Sequence, residues 1–442
     1  MIALYFVLAS TLVGAAALSL RRSRFPIYGR SFAVLVLLYG LLVKPLFVAL
    51  GLPSEEFIAE FLLAPLTLAE YWEGSVWLLA GYAVFVGTMM TASFVLGQIR
   101  ESASLRRTPS FHVGRGWLLL AVGVVGVIIF FAQNVDLLFG ASKNILATED
   151  LADYGSSGGL RLLVSFLYLI PFLMIANVGA DEDVAGSSRL MWVAALLWIA
   201  FSFFSDQRGS ILFSVFSWLI AYRSCVGKIP RKALVIAGAI AVAMVVARSL
   251  LRLTGDQAGQ LAAADELLGN YIGRNLVENA KTLIIIRSIP EQLSYAFGGS
   301  YLDSILILVP RSLFPAKTTV NLDTVIGMSV FDCGAFGACA VPPGLVAESY
   351  LNFGFFGLPV ILALCGWLTA WLDWKSAGRN VAFRILYAAT LVYFAISVLG
   401  SGISSFVTQA IISSATFLFA YHALRRTKRR RVFATNTAAA AE

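Results

Sequence analysis

The chain has 442 residues, of which 59% are hydrophobic and only 13% charged, with a net charge of +8 and a mean hydropathy of +0.82. Soluble domains run at about 45–50% apolar and about 25% charged, so this composition excludes a soluble enzyme, a disordered chain and a disulfide scaffold. Four cysteines and two histidines leave little material for a His/Cys metal cluster.

In chain order, residues 2–20 form an apolar run followed, not preceded, by Arg21, Arg22 and Arg24. A signal peptide carries its positive charges before the apolar stretch. The run therefore reads as a retained first helix with its N-terminus outside and its basic end in the cytoplasm. Further spans, each near the length a bilayer needs, are expected at roughly 31–50, 74–97, 117–135, 160–180, 190–205, 210–222, 233–250, 354–372, 385–399 and 405–423. The fold class is thus an all-α polytopic membrane protein with about eleven transmembrane helices. The short 190–205 and 210–222 pair is open to a tilted or partly re-entrant reading.

Charge tests the alternation. The loops 21–30, 98–116, 181–189, 223–232, 373–384 and 424–442 carry 4, 4, 1, 4, 3 and 6 lysines and arginines, so 22 of the chain's 33. Cytoplasmic loops are enriched in these residues, which puts the C-terminus inside. The basic tail, Arg425 to Arg431, reads as a cytoplasmic stop beside anionic headgroups rather than as a nucleic-acid site. The acids Glu55, Glu56, Glu60, Glu70, Glu73, Asp136, Glu149, Asp150 and Asp153 fall on outer segments.

Three regions follow: N-terminal helices over 1–250, about eight in number; one large periplasmic helical loop over 251–343; and about three C-terminal helices with the basic tail over 344–442. Loops this long are usually functional. Within it, residues 257–289 read as one or two helices closed by Pro290, with Arg274, Glu278 and Lys281 on one face. A second helix is expected over 300–308 with Ser300 as N-cap.

The basic residues outside the cytoplasmic set are Lys44, Lys143, Arg161, Arg208, Arg248, Arg252, Arg274, Lys281, Arg287, Arg311 and Lys317. Cations at the outer side oppose the positive-inside rule and call for an anionic partner. Protein carboxylates such as Asp256, Asp265, Glu266, Glu278 and Asp303 are one source. A bound lipid pyrophosphate, which suits arginine forks, is the other. Arg208, in the polar notch Ser205-Asp206-Gln207-Arg208-Gly209-Ser210, reads either as a hairpin tip or as the mouth of a cavity. Arg248 and Arg252 either snorkel or line the same cavity.

Two motifs are more specific. Val309-Pro310-Arg311-Ser312-Leu313-Phe314-Pro315-Ala316-Lys317 braces an arginine and a lysine between prolines. Pro342-Pro343-Gly344 then opens a helix that carries Glu348, Tyr350 and Asn352 toward the membrane and ends in Phe353-Gly354. A carboxylate entering a bilayer is costly and by default functional; the alternative is a Glu348 that pairs an arginine. Tyr350 and Asn352 are open to sugar positioning or to helix packing.

Together the spans, the outer loop, the Arg-Gly notch, the Pro-Arg-x-x-x-Pro-x-Lys stretch and the Glu-x-Tyr-x-Asn-Phe-Gly helix resemble the bacterial oligosaccharide repeat-unit polymerases, the Wzy-type O-antigen and exopolysaccharide polymerases. The resemblance covers roughly 205–360. It implies a GT-C-like glycosyltransferase of the bacterial inner membrane that acts on undecaprenyl-pyrophosphate-linked glycans at the periplasmic face, beside the lipid bilayer and with a chain-length regulator as a further partner. In that reading Arg208, Arg311 and Lys317 bind pyrophosphate, and Arg248, Arg252, Arg274 and Lys281 assist. Glu348 is the candidate general base and Asp303 its reserve. Tyr350 and Asn352 position sugar. Neither a metal nor another cofactor is expected, and no nucleic acid.

A flippase for the same lipid-linked glycans and an O-antigen ligase are the rivals. The nearly charge-free spans speak against the first. The inner placement of His112 and His422 speaks against the second, since ligases of this kind carry a periplasmic histidine. Finally, Cys333 and Cys339 lie in the outer loop, separated by two glycines and in an oxidising compartment, so a disulfide between them is expected.

Overall fold

The computed structural model describes residues 2–21, 28–51, 67–98, 110–133, 154–205, 208–227, 278–289, 291–306, 322–331, 341–378 and 380–425, with isolated positions between 235 and 243. The side chains of 154–162, 208–210, 212 and 278 fall outside this set. The described residues are almost entirely helical. Chain order gives α1 (Ile2–Arg21), α2 (Tyr28–Ala49), α3 (Leu68–Gln98), α4 (Val113–Gln133), α5 (Tyr154–Gly179), α6 (Val184–Phe204) and α7 (Arg208–Cys225). Next come three shorter helices, α8 (Glu278–Arg287), α9 (Gly299–Leu306) and α10 (Leu322–Val330). The chain closes with α11 (Gly344–Ser376), α12 (Val381–Ala389), α13 (Phe394–Ser401) and α14 (Ile403–Leu424).

Among the described residues seven helices are long and apolar enough to cross a bilayer: α1, α2, α3, α4, α6, α11 and α14. An eighth is the pair α12 and Leu391–Ser401, bent by 52° at Thr390. This is a multi-pass membrane protein. The 190–205 and 210–222 pair is longer than the sequence suggests: α6 spans 21 residues and α7 spans 18. The expected span at 233–250 lies largely outside the described residues.

Local chemistry sets the helix ends. Thr67 and Glu70 form a reciprocal capping box before α3: Glu70 Oε2 accepts the Thr67 N–H at 2.9 Å, and Thr67 Oγ1 accepts the Glu70 N–H at 3.3 Å. Asp183 caps α6 and Asn380 caps α12 through their side-chain oxygens. Without water in the bilayer, packing and internal hydrogen bonds must hold the bundle. α4 uses a glycine stripe: Gly123 and Gly126 seat Leu167 and Leu163 of α5, and Gly116 seats Leu190 of α6. The two longest helices, α3 and α11, pack closely. Gly81 lies against Leu358 and Leu362, and further along a Cβ on Gly366 would overlap the Phe85 carbonyl oxygen.

The bundle has two distinct ends. One holds a fully buried ion pair between Arg30 at the start of α2 and Asp373 near the end of α11, with Nε to Oδ2 at 2.8 Å. Arg30 Nη1 donates to Ser93 of α3 at 3.0 Å, and Asp373 also accepts the Gly29 N–H at 2.9 Å and the Tyr387 hydroxyl. At this end too, Asn177 of α5 clasps the Phe111 backbone, and the His112 N–H donates to Leu424 O at 2.8 Å. These are the helix ends that the charge pattern groups together. The opposite end holds Glu348.

The bend between α12 and α13 frees backbone carbonyls inside the bundle. A neighbouring side chain satisfies one of them, the Tyr168 hydroxyl donating to Ala389 O at 2.5 Å, while Tyr393 in the bend reaches out to Phe213 O and Ser217 of α7. This is the compensation a broken span requires.

Candidate functional site

α11 is two helices in sequence. Gly354 adopts φ 63°, ψ −154°, a conformation closed to residues with a Cβ, and interrupts the helix there. Most of the first piece, 344–353, is buried: Leu345, Val346, Ala347, Glu348, Ser349, Leu351 and Asn352 are all shielded. The second piece is the apolar span. The sequence places a span start at 354 for the apolar run alone; the glycine break is what separates the polar segment from it.

Glu348 is wholly buried, and its partner is not an arginine among the described residues. Its carboxylate accepts the Ser404 N–H at 3.0 Å and the Ile403 N–H, the first two backbone donors of α14. The residue preceding them, Gly402 (φ 104°), has no side chain to cap the helix, and a Cβ there would collide with the Glu348 carboxylate. Glu348 thus supplies the missing cap from another helix. The orphan N–H groups and the positive end of the helix dipole offset the cost of burying its charge.

Ser300 and Asn352 complete the cluster. Asn352 Nδ2 donates to Ser300 Oγ at 2.7 Å, and its Oδ1 accepts the Gly298 N–H at 3.0 Å. The Ser300 hydroxyl has two acceptors in reach, Asn352 Oδ1 at 3.1 Å and Glu348 Oε1 at 3.4 Å. The expectation of Ser300 as a helix N-cap is corrected: α9 starts at Gly299, and Ser300 turns its hydroxyl inward to the α11 cluster.

The other expected site residues divide clearly. Asp303 is on α9, exposed at the same end. Tyr350 is half-buried and sets its ring edge-on to Trp77 at 5.8 Å, so it packs α11 against α3. Lys281 is buried on α8. Arg208 is the first residue of α7, with its side chain outside the described residues. Arg248, Arg252, Arg274, Arg311, Lys317, Cys333 and Cys339 also lie outside the described residues. The described cysteines, Cys225 and Cys365, are free thiols. Among the described residues no group of three or more His, Cys, Asp or Glu side chains converges to hold a metal ion.

The segment between α7 and α11 is more than a surface loop. α8 inserts among the spans: Asn279 Nδ2 donates to Gly40 O of α2 at 3.0 Å and to Ser75 Oγ of α3 at 3.3 Å, and Gly74 makes room for the Asn279 backbone. Arg287, at the end of α8, pairs Glu70 at 2.5 Å and Glu73 at 2.6 Å, so protein carboxylates are this cation's partners. Asp323 of α10 is also buried at this end. Burial raises its carboxyl above the usual range, against the Ser405 hydroxyl at 3.1 Å and the nearby Lys281 charge.

Between α2, α3, α8 and α11 lies a cavity of about 310 Å³, lined by Tyr39, Lys44, Tyr82, Asn279, Lys281 and Thr282 with apolar neighbours. Its α2 wall is a π-helical turn, Tyr39–Val43. Sequence reasoning placed Lys44 only among the outward cations. A lone lysine beside a proline at the end of an apolar run was its signal.

No protein-family model matches the chain, and no solved structure matches it.

Proposed function

We propose that the chain is a GT-C-like membrane glycosyltransferase of about eleven spans that polymerises undecaprenyl-pyrophosphate-linked repeat units at the outer face of the bacterial inner membrane. The growing chain on its lipid pyrophosphate is the donor, and a sugar hydroxyl of the incoming lipid-linked unit is the nucleophile. The hydroxyl oxygen bonds to the anomeric carbon as the bond from that carbon to the pyrophosphate oxygen breaks. The hydroxyl proton passes to a base, and undecaprenyl pyrophosphate departs with the bonding electrons. Cations at the leaving group stabilise the charge that develops there; Arg208, Arg311 and Lys317 hold that role, assisted by Arg248, Arg252, Arg274 and Lys281. Asn352 and Tyr350 position the sugar.

The observation that carries the reading is the polar helix 344–353, which is broken from its span at Gly354 and joined to α9 at one end of the bundle. It sets the carboxylates of Glu348, buried, and Asp303, exposed, at the same end. Glu348 as base requires that substrate entry free an oxygen from the α14 N-terminus; Asp303 is exposed as it stands. The test is incubation of purified protein with lipid-linked repeat units, with and without EDTA, with products resolved by length. A ladder of chain lengths supports polymerisation. Single-step attachment to another acceptor indicates a ligase.

A second reading, a flippase for the same glycans, has one observation in its favour: the span broken at Thr390 is of a kind that transporters use. Translocation across vesicles without new glycosidic bonds would select it.

A further inference from the structure

We infer that α9 is seated in the bilayer, with Phe297, Leu302 and Ile305 against lipid acyl chains, rather than in an aqueous loop between α7 and α11. A helix on a water-facing surface buries its apolar stripe and exposes its polar one. α9 does the reverse. Ser300 and Ser304 are buried, while Leu302 is 57% exposed, Ile305 is 48% exposed and Phe297, just before the helix, is 78% exposed. The inward face is hydrogen-bonded. Ser300 Oγ accepts from Asn352 of α11 at 2.7 Å, Ser304 Oγ donates to the Ser300 carbonyl at 2.7 Å, and Thr408 Oγ1 of α14 donates to the Ser304 carbonyl at 3.0 Å. Polar groups turned inward and apolar ones outward are what a lipid solvent selects, since acyl chains offer no hydrogen bonds.

Depth and continuity commit this face to lipid rather than to a protein partner. α14 has 22 residues, little more than the roughly 20 that a span needs. Thr408 is its sixth residue, so at 1.5 Å per residue its bond to Ser304 lies about 7–8 Å below the start of that span. Interfacial helices bury their apolar face to about this depth. The surface also continues one that already faces the membrane. Phe353 of α11 packs on α9, with its ring centroid 6.4 Å from that of Tyr301 and its Cζ 3.2 Å from where a Cβ on Gly298 would stand. Phe355 and Phe356, both exposed, follow it and begin the apolar span. Asp303 lies about 100° around the helix from Leu302, which turns it off the apolar face and toward the headgroups. The inference requires only a multi-pass protein, so it stands or falls separately from the glycosyl-transfer reading.

The test uses the full-length protein in phosphatidylcholine nanodiscs. The photoreactive residue p-benzoylphenylalanine replaces Leu302 or Ile305, with Phe356 as the control position in a span, and mass spectrometry identifies what each position captures on irradiation. Phospholipid adducts are expected at both α9 positions, in yield comparable to that at Phe356. A second measurement needs no variant and decides the matter should the substituted proteins not fold. Hydroxyl radicals generated in the water phase oxidise side chains that water reaches. In the unmodified protein Leu302 and Ile305 should oxidise at least about tenfold more slowly than in the free peptide 295–306, as side chains held below the headgroups do. Adducts at Phe356 with none at either α9 position, a cross-link from these positions to a second protein chain, or oxidation at about half the free-peptide rate, which their exposure would give in water, overturns the inference.

Discussion

The Glu348 carboxylate closes the N-terminus of α14, 55 residues further along the chain, by accepting the backbone N–H groups of Ile403 and Ser404. This ties the polar piece of α11 to the last span, and makes Glu348 a structural joint as well as the candidate base. Replacing it should therefore affect folding in graded fashion. Glu348→Ala leaves two buried N–H groups unsatisfied, at about 1–3 kcal/mol each, while Glu348→Gln keeps one acceptor. Midpoints should fall in the order wild type, Gln, Ala. If Glu348 is also the base, polymer made per folded Glu348→Gln molecule should fall by about 10² to 10⁴. Near-wild-type activity in that folded fraction would remove Glu348 from the chemistry and leave Asp303 as the base.

Arg311 tests the leaving-group cradle. Arg311→Lys retains charge but loses the bidentate fork. Polymerisation should fall by about one to three orders of magnitude, with unchanged yield of folded protein. Equal rates for the two proteins would show that Arg311 acts, if at all, only as a point charge.

Arg30 and Asp373 are wholly buried, and either one alone would be an uncompensated charge. Arg30→Ala and Asp373→Ala should each cost about 3–5 kcal/mol, and the double variant should cost much less than their sum. A double-mutant cycle on thermal midpoints in detergent measures this. By contrast, Arg287 is half exposed with its partners Glu70 and Glu73, and Arg287→Ala should cost at most about 1 kcal/mol.

At Gly366 the helices α3 and α11 approach each other closely. A methyl group there meets the Phe85 backbone, which cannot turn aside. Gly366→Ala should destabilise by about 1–3 kcal/mol. Gly81→Ala meets side chains alone, Val346 at 2.8 Å and Leu362 at 3.4 Å, and should cost less. Similar midpoints for the two variants would contradict this packing.

Asp323 gives a pH signature outside the spans. Its native carboxyl is held above the ordinary value of about 3.9, chiefly by burial. The native state therefore keeps the proton where the unfolded chain has lost it. Its contribution to stability is full below about pH 3.9 and is lost as pH rises through the native value. Asp323→Asn should flatten the decline of the thermal midpoint over that window. An unchanged slope would place the titration elsewhere.

The sequence by itself determined the membrane class and the alternation of the described helices. Apolar runs of about 20 residues have few stable alternatives in a bilayer, and lysine and arginine bias groups the loops on one side. It also singled out the segment from Pro343 to Gly354, because a carboxylate, an amide and a glycine beside an apolar run are locally anomalous. Only the tertiary structure decided what those residues touch. Glu348 caps α14, Ser300 turns from the expected cap to the α11 cluster, Asp373 takes Arg30 from 343 positions away, and Lys44 and Lys281 line one cavity. Hydropathy reports the cost of burying a charge but not which distant group offsets it. That depends on the order in which helices pack, which here rests on glycine contacts and broken turns with no signature in local charge or periodicity.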